Sequence, residues 1–208
     1  MKKGLILAIL AIFLAVGCAT SQQQAIQQPQ LALGAVQAPV PTFKVNDEWT
    51  YKYSDGSETT IKVVGVTENE VITISSNLPN CKGTRDRNFT LKKLECEGAN
   101  PFVKTDDRYL DFPLYVGKSW RYTEMRQAPS RGYVGSTYMA QVTAKVTAYE
   151  KIKLSSGGFE CFRIEMDVVG ARLPLLLIYW YAPEARAIIK QVGKNYTISP
   201  DRELVRYK

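Results

Sequence analysis

The 208-residue chain contains no histidine. That absence removes Ser-His-Asp and Cys-His catalysis, HExxH zinc sites, two-His iron sites and histidine pH switching together. Four cysteines are present, scattered and without imidazole, so they build no metal site, and a catalytic thiol would lack its base. Helical periodicity is almost missing, replaced by short alternating runs between turn residues. Acids occur in small groups, Glu95 with Glu97 and Asp106, Asp107 and Asp111, but nothing in their spacing fixes two carboxylates across a cleft. The N-terminal apolar run from Leu5 to Val16 is about a dozen residues, short of the ~20 that span a bilayer. An enzyme, a metalloprotein and a helical membrane protein are thus all disfavoured.

What is present is ordinary globular material. Hydrophobic residues make up 45% and aromatics 11%, with 12 tyrosines, which excludes wholesale disorder and leans toward β structure. Lys plus Arg number 27 against 20 Asp plus Glu, a formal charge of +7. Without Lys2 and Lys3 the balance is about +5, too mild to imply nucleic acid as a partner. Beyond the leader and linker roughly 170 residues remain, enough for one domain with a proper core.

Met1-Lys2-Lys3 is a short basic region, and the apolar run that follows reads as a secretion signal. It ends in Leu14-Ala15-Val16-Gly17-Cys18, which resembles the lipobox of bacterial lipoproteins, with Ala15 where that pattern prefers Leu. The resemblance implies that residues 1–17 are a signal peptide and that Cys18 is the acylated first residue of the mature protein. Several acyl chains give a stable anchor where one gives only marginal binding. Ala19-Thr20 lacks the Asp associated with inner-membrane retention, so the resemblance implies the periplasmic face of the outer membrane. The charge-free, Gln-, Ala- and Pro-rich stretch up to Pro41 completes a linker over residues 18–41.

Residues 42–208 read as an all-β domain: an antiparallel meander of about ten strands forming a curved sheet, half-barrel or sandwich. Trp49, Tyr51 and Tyr53 share one face, Ser54-Asp55-Gly56 supplies a hairpin turn, and Gly65 marks a bulge. Val45-x-x-x-Trp49-x-Tyr51 recurs as Val116-x-x-x-Trp120-x-Tyr122. The recurrence suggests two similar halves of roughly five strands each, 42–112 and 113–208. Tyr138, Ala140, Val142, Ala144, Val146 and Ala148 form one face of a further strand.

Three segments in order, Phe112-Pro113-Leu114-Tyr115-Val116-Gly117-Lys118-Ser119-Trp120, Ser155 to Ile164, and Tyr179-Trp180-Tyr181-Ala182-Pro183, resemble a group of secreted bacterial β proteins. That group carries FPLxVGKxW, PAGTF-like and YWYAP-like motifs. Here Ser155-Ser156 replaces Pro-Ala, and Glu184 to Arg186 lacks the glycine usual after YWYAP. The resemblance implies an extracytoplasmic, sheet-rich domain without assigned catalysis, and carries over no functional residue.

Cys81 and Cys96 bracket a hairpin-like segment, and an exported domain folds where thiols oxidise, so a disulfide between them is expected. Cys161 is then left over; its pairing with Cys81 or Cys96 is the alternative. Lys82, Arg85, Arg87, Lys92 and Lys93 read as the solvated face of that hairpin, guarding an edge strand; contact with lipid-headgroup phosphates or an acidic envelope polymer is the alternative. Residues 173–181, LPLLLIYWY, are apolar on both strand faces. Leu175, Leu177, Tyr179, Trp180 and Tyr181 are therefore the candidate surface for a lipid or other hydrophobic ligand, or for an envelope-protein partner. The expectation is a lipid-anchored, non-enzymatic envelope protein without cofactor or metal. Cys18→Ala is expected to move the protein from the membrane fraction to the soluble fraction, read by fractionation; retention in the membrane would refute the anchor.

Overall fold

The computed structural model describes residues 35–98, 102–103, 108–127, 137–170, 175–194 and 201–208. Cys18 and the leader lie outside the described residues. Among those residues no helix is long and apolar enough to cross a membrane. The first six strands are β1 (Glu48–Tyr53), β2 (Glu58–Val66), β3 (Glu70–Ser75), β4 (Leu78–Asp86), β5 (Leu91–Cys96) and β6 (Phe102–Val103). The second six are β7 (Ser119–Gln127), β8 (Thr137–Leu154), β9 (Gly157–Val169), β10 (Leu175–Ala182), β11 (Ala187–Lys194) and β12 (Arg202–Tyr207).

All twelve belong to one sheet, in the order β6-β5-β4-β3-β2-β1-β12-β11-β10-β9-β8-β7. The antiparallel meander expected from the alternation is therefore present, as an open single layer; it is neither a sandwich nor a closed barrel. Each half is a six-strand meander running the same way across the sheet, and the halves meet where β1 pairs with β12. Six strands per half exceed the five expected because β4 and β12 carry weak signals. β4 reads LPNCKGTRD and β12 RELVRY, neither with a run of β-branched residues; ladder bonds to committed neighbours make them strands.

The Asp55-Gly56 turn joins β1 to β2, with Gly56 at φ 86° and Asp55 Oδ1 accepting from Ser57 N at 2.9 Å. The pairing of β2 with β3 slips between Val63 and Gly65, which is the anticipated bulge. A second slip, between Val146 and Ala148 in β8, alters the expected face. Ala140, Val142, Ala144 and Val146 are buried, but beyond Thr147 the inward position passes from Ala148 to Tyr149, which packs on the core. The β8–β9 hairpin then carries its turn onto β12, where Ser156 Oγ donates to Leu204 O at 2.6 Å.

One face of this single sheet is covered by the chain itself. Because the two meanders run the same way, the β6–β7 connection must travel from one edge of the sheet to the other. Its described part, 108–118, lies over β8, β9 and β10, burying Leu110 and Leu114 against Ile164, Met166, Leu177 and Tyr179. Ala38 bridges to Leu114, N to O at 2.9 Å in both directions. Ala38, within the stretch expected to be linker, is 1% exposed and packs with the domain.

The recurring V-x-x-x-W-x-Y is a repeated structural device. Asn46 and Gly117 both take positive φ, 77° and 94°. Their amides donate at 2.9 Å to Val63 O and Val146 O, and those two valines donate back to Asp47 O and Lys118 O. Trp49 Nε1 then donates to Ala185 O at 2.7 Å, and Trp120 Nε1 to Arg108 O at 2.7 Å. Lys118, nearly buried, adds an ion pair to Asp111 at 3.0 Å and a bond to Pro113 O at 3.0 Å, across a cis Phe112–Pro113 peptide. Trp120→Phe keeps the ring but deletes the bond to Arg108. It is expected to lower unfolding free energy by about 1–2 kcal/mol, measured by denaturant titration, with Trp49→Phe costing a similar amount.

Candidate functional site

The residues singled out on β10 divide by strand parity. Leu175, Leu177, Tyr179 and Tyr181 are 7%, 3%, 5% and 1% exposed, pointing into the core beneath 108–118. Tyr179 meets the Tyr109 ring at 6.1 Å and Tyr181 the Phe112 ring at 5.2 Å, both edge to face. Trp180 faces the other way, half-buried; its Nε1 donates to Glu150 Oε1 at 2.7 Å, and Lys190 Nζ stands 5.6 Å from the ring. The apolar character of this strand is thus met by its covering segment on one side and by β8 and β11 side chains on the other.

Past Tyr181 the lining changes from aliphatic to polar and aromatic. A pocket of about 130 Å³ lies between β1, β4, β12, the β10–β11 turn and residues 109–110. Tyr51, Tyr109 and Tyr181 contribute rings; Arg85, Arg186 and Arg202 contribute guanidiniums. Each arginine arrives by a separate route. In β4, alternation turns Cys81, Gly83 and Arg85 to the same side, and Gly83 matters: a Cβ there would come within 3.1 Å of Thr73 Oγ1. That hydroxyl accepts from Arg85 Nε at 3.2 Å, while Arg85 Nη1 donates to Phe89 O at 3.2 Å. The Arg85 guanidinium lies 4.7 Å from the Phe89 ring centroid, a cation–π contact.

Phe89 has φ 62°, unusual for a bulky residue, and is held inward by rings 4.8 Å away at Phe43 and 5.3 Å away at Trp49. Arg202 enters from β12, opposite Gln191 and Tyr53, with its guanidinium 4.7 Å from the Tyr51 ring. Arg186 is also at positive φ, 54°. Its Nη2 pairs with Asp47 Oδ1 at 2.7 Å and its Nη1 donates to Thr42 O at 3.2 Å.

Burial sets the charge states. The Arg85 guanidinium is brought down to about 10 by burial, with repulsion from Arg202 adding to the fall, and stays cationic at neutral pH. At Arg202 burial opposes the charge, but attraction to Tyr51 and Tyr53 in their ionised, high-pH forms and a hydrogen bond with Tyr53 outweigh it, and the group is raised. Burial pushes the Tyr51 and Tyr181 hydroxyls up, against the pull of Arg202 and Arg85 at Tyr51 and of Arg186 at Tyr181. Both phenols are therefore uncharged at neutral pH.

Of the basic run on the β4–β5 hairpin, Lys92 pairs with Asp86 at 3.4 Å and Lys93 with Glu95 at 2.7 Å, on the solvated face. Arg85 is the member that the solvated reading misplaced. Its inward position was readable from its parity with Cys81 and Gly83 once β4 was recognised as a strand. Asp106 and Asp107 lie outside the described residues, and Asp111 serves Lys118. Among the described residues no group of three or more metal-ligating side chains assembles.

Cys81 and Cys96 sit opposite each other on β4 and β5 and form a disulfide, Cα to Cα 4.0 Å. Cys161 is a buried free thiol whose Sγ donates to Glu150 O at 3.3 Å.

No protein-family profile matches the chain, and no curated protein sequence does. Among solved structures it is similar to the hypothetical lipoprotein YmcC of Escherichia coli K12, 12% identical over 84% of this chain and 90% of that one, with a TM-score of 0.49. A candidate exported protein of YmcC-like fold from Bacteroides fragilis is 14% identical and a candidate lipoprotein from Parabacteroides distasonis 9%. Each of these two covers 82% of this chain and 99% of its own, with a TM-score of 0.39. At these identities none of the three transfers a residue role.

Burial raises the Cys161 thiol to about 11, so at pH 8 it is protonated and enclosed. Iodoacetamide is expected to leave Cys161 unmodified in the native protein at that pH and to label it fully after denaturation, while Cys81 and Cys96 label only after reduction. Reducing the bridge, whose partners are 15 residues apart, is expected to cost up to about 3 kcal/mol by chain entropy, read as a lowered denaturant midpoint.

Proposed function

We propose that this chain is a lipid-anchored, non-catalytic protein of the bacterial cell envelope, held through Cys18 at the periplasmic face of the outer membrane, and that its domain binds a ligand. The lipobox-like leader supports the anchor. The observation that carries the binding reading is the aromatic pocket at the end of the β10 core stripe, where closely packed aliphatic lining gives way to rings and guanidiniums around open space. Leu175 and Leu177 form the packed floor behind it, and Tyr181 reaches its wall. An acyl chain laid along Leu175, Leu177 and Tyr179 would have to displace Leu110 and Leu114, both buried against them. The packing therefore favours a ligand that enters at the Tyr181 end.

A second reading, a scaffold for another envelope protein, is favoured by β7. This nine-residue strand is last in the sheet order and pairs only with β8 among the described residues, the arrangement that strand addition uses. Native mass spectrometry of the protein from envelope extracts separates the two. A copurifying small molecule, lost on Tyr181→Ala, is the expected result. Apo protein alone would overturn the ligand reading, and a bound protein lost on proline substitution in β7 would establish the scaffold.

A further inference from the structure

Resting on that binding reading, we infer that the pocket recognises an oxyanion group, a carboxylate or phosphate carried by its ligand, through Arg85 and Arg202 with the Tyr51 ring between them. Its wall holds three guanidiniums and, among the described residues, no carboxylate. One charge is answered at once, because Arg186 pairs with Asp47 at 2.7 Å. The other two are not: among the described residues neither Arg85 nor Arg202 forms an ion pair with an acid. The nearest sequence candidate, Asp86, is engaged by Lys92 at 3.4 Å and by Thr90 N at 2.9 Å. The Tyr51 phenol between them, raised by burial, is neutral and supplies a dipole only.

The two guanidiniums are also set in advance of any ligand. Arg85 is fixed by Thr73 Oγ1 and Phe89 O, and Arg202 lies over Tyr51. Arg202 Nε is enclosed and has no hydrogen-bond partner, so an acceptor in the pocket would be met by the terminal nitrogens of its guanidinium. Arginine rather than lysine at both places suits a planar acceptor, since the guanidinium presents a fixed fork of donors. Size points the same way. About 130 Å³ falls below the ~300 Å³ at which pockets begin to enclose whole organic ligands, but it takes one charged group and a little water. Two non-glycine residues at positive φ, Phe89 and Arg186, line the same space, and such strain concentrates at ligand clamps.

The test uses the full lipidated chain in neutral detergent micelles, with thermal unfolding followed at matched ionic strength in sodium chloride, inorganic phosphate or glucuronate. A further arm uses micelles doped with phosphatidylglycerol. Phosphate or glucuronate is expected to raise Tm saturably where chloride does not, with binding at least ten-fold weaker in Arg85→Met and in Arg202→Met. Arg85→Lys and Arg202→Lys keep the charge, guard against a folding defect, and are expected to weaken binding as well. A response confined to phosphatidylglycerol and lost in the same variants would assign the oxyanion to a lipid headgroup. A wild-type response equal to chloride in every arm, or a response untouched by the arginine variants, would overturn the inference. A small molecule still retained in native mass spectrometry would then leave the binding reading standing.

Discussion

A single β-sheet has two faces and nothing else to pack against, and among the described residues no helix or second sheet supplies a cover. The structure depends on how this chain meets that constraint, by laying its own β6–β7 connection across one face. The crossing is forced by topology: two meanders placed in tandem put β6 and β7 at opposite edges. Burial of Leu110 and Leu114 stabilises the crossing, at the usual ~25 cal/mol for each Å² of apolar surface removed from water. The segment's polar ends are answered by Lys118 and Trp120, whose donors reach Pro113 O, Arg108 O and the Asp111 carboxylate. Without those bonds an irregular segment would bury backbone carbonyls unpaired, which costs more than its side chains return.

The same entry turn serves both halves with opposite charges. At corresponding places the first half has Asp47, tied to Arg186 in the β10–β11 turn, and the second has Lys118, tied to Asp111 in the crossing segment. Each pair fastens a connection onto the sheet, and each tryptophan donates to a carbonyl of the connection so fastened. The two covers do not meet perfectly. Between residues 109–110 on one side and Pro41 with the β10–β11 turn on the other lies the pocket. It is thus a consequence of how two similar halves are lidded, and its arginines sit where the two lids leave a gap.

The division between what was legible in the sequence and what was not follows physical lines. β1, β8 and β9 alternate, and their buried faces were readable from parity because one side of each enters an apolar core. The Trp49 and Trp120 repeat was readable because a turn, a valine and two aromatics recur at fixed spacing. β4 and β12 were not, since their sequences are charged and their strand state comes from neighbours. The arginine pair was lost with them, for Arg85 and Arg202 lie on those two strands, far apart in sequence and brought together only across β3, β2 and β1. The surface proposed for Leu175 to Tyr181 followed from apolarity on both faces, but periodicity does not reveal that a loop will cover one face and long polar side chains the other. Glu150 and Lys190, which shield Trp180, are polar at their tips and apolar along their stems.

Local costs are not spread evenly through this fold. Most described polar groups in the sheet have partners, and most described residues keep ordinary backbone angles. Around one small space, however, stand two non-glycine residues at positive φ, two enclosed guanidinium nitrogens without acceptors and two cations that, among the described residues, form no ion pair with an acid. A leucine or methionine at position 85 would bury apolar surface beside Phe89 with no charge to desolvate, and a glycine at 186 would relieve its backbone. Sequences that agree with their fold at nearly every level depart from it where something other than folding sets the residue. Here several departures meet at one pocket, while the unpartnered Arg163 Nε and Thr90 Oγ1 and the positive φ of Asn46 lie away from it.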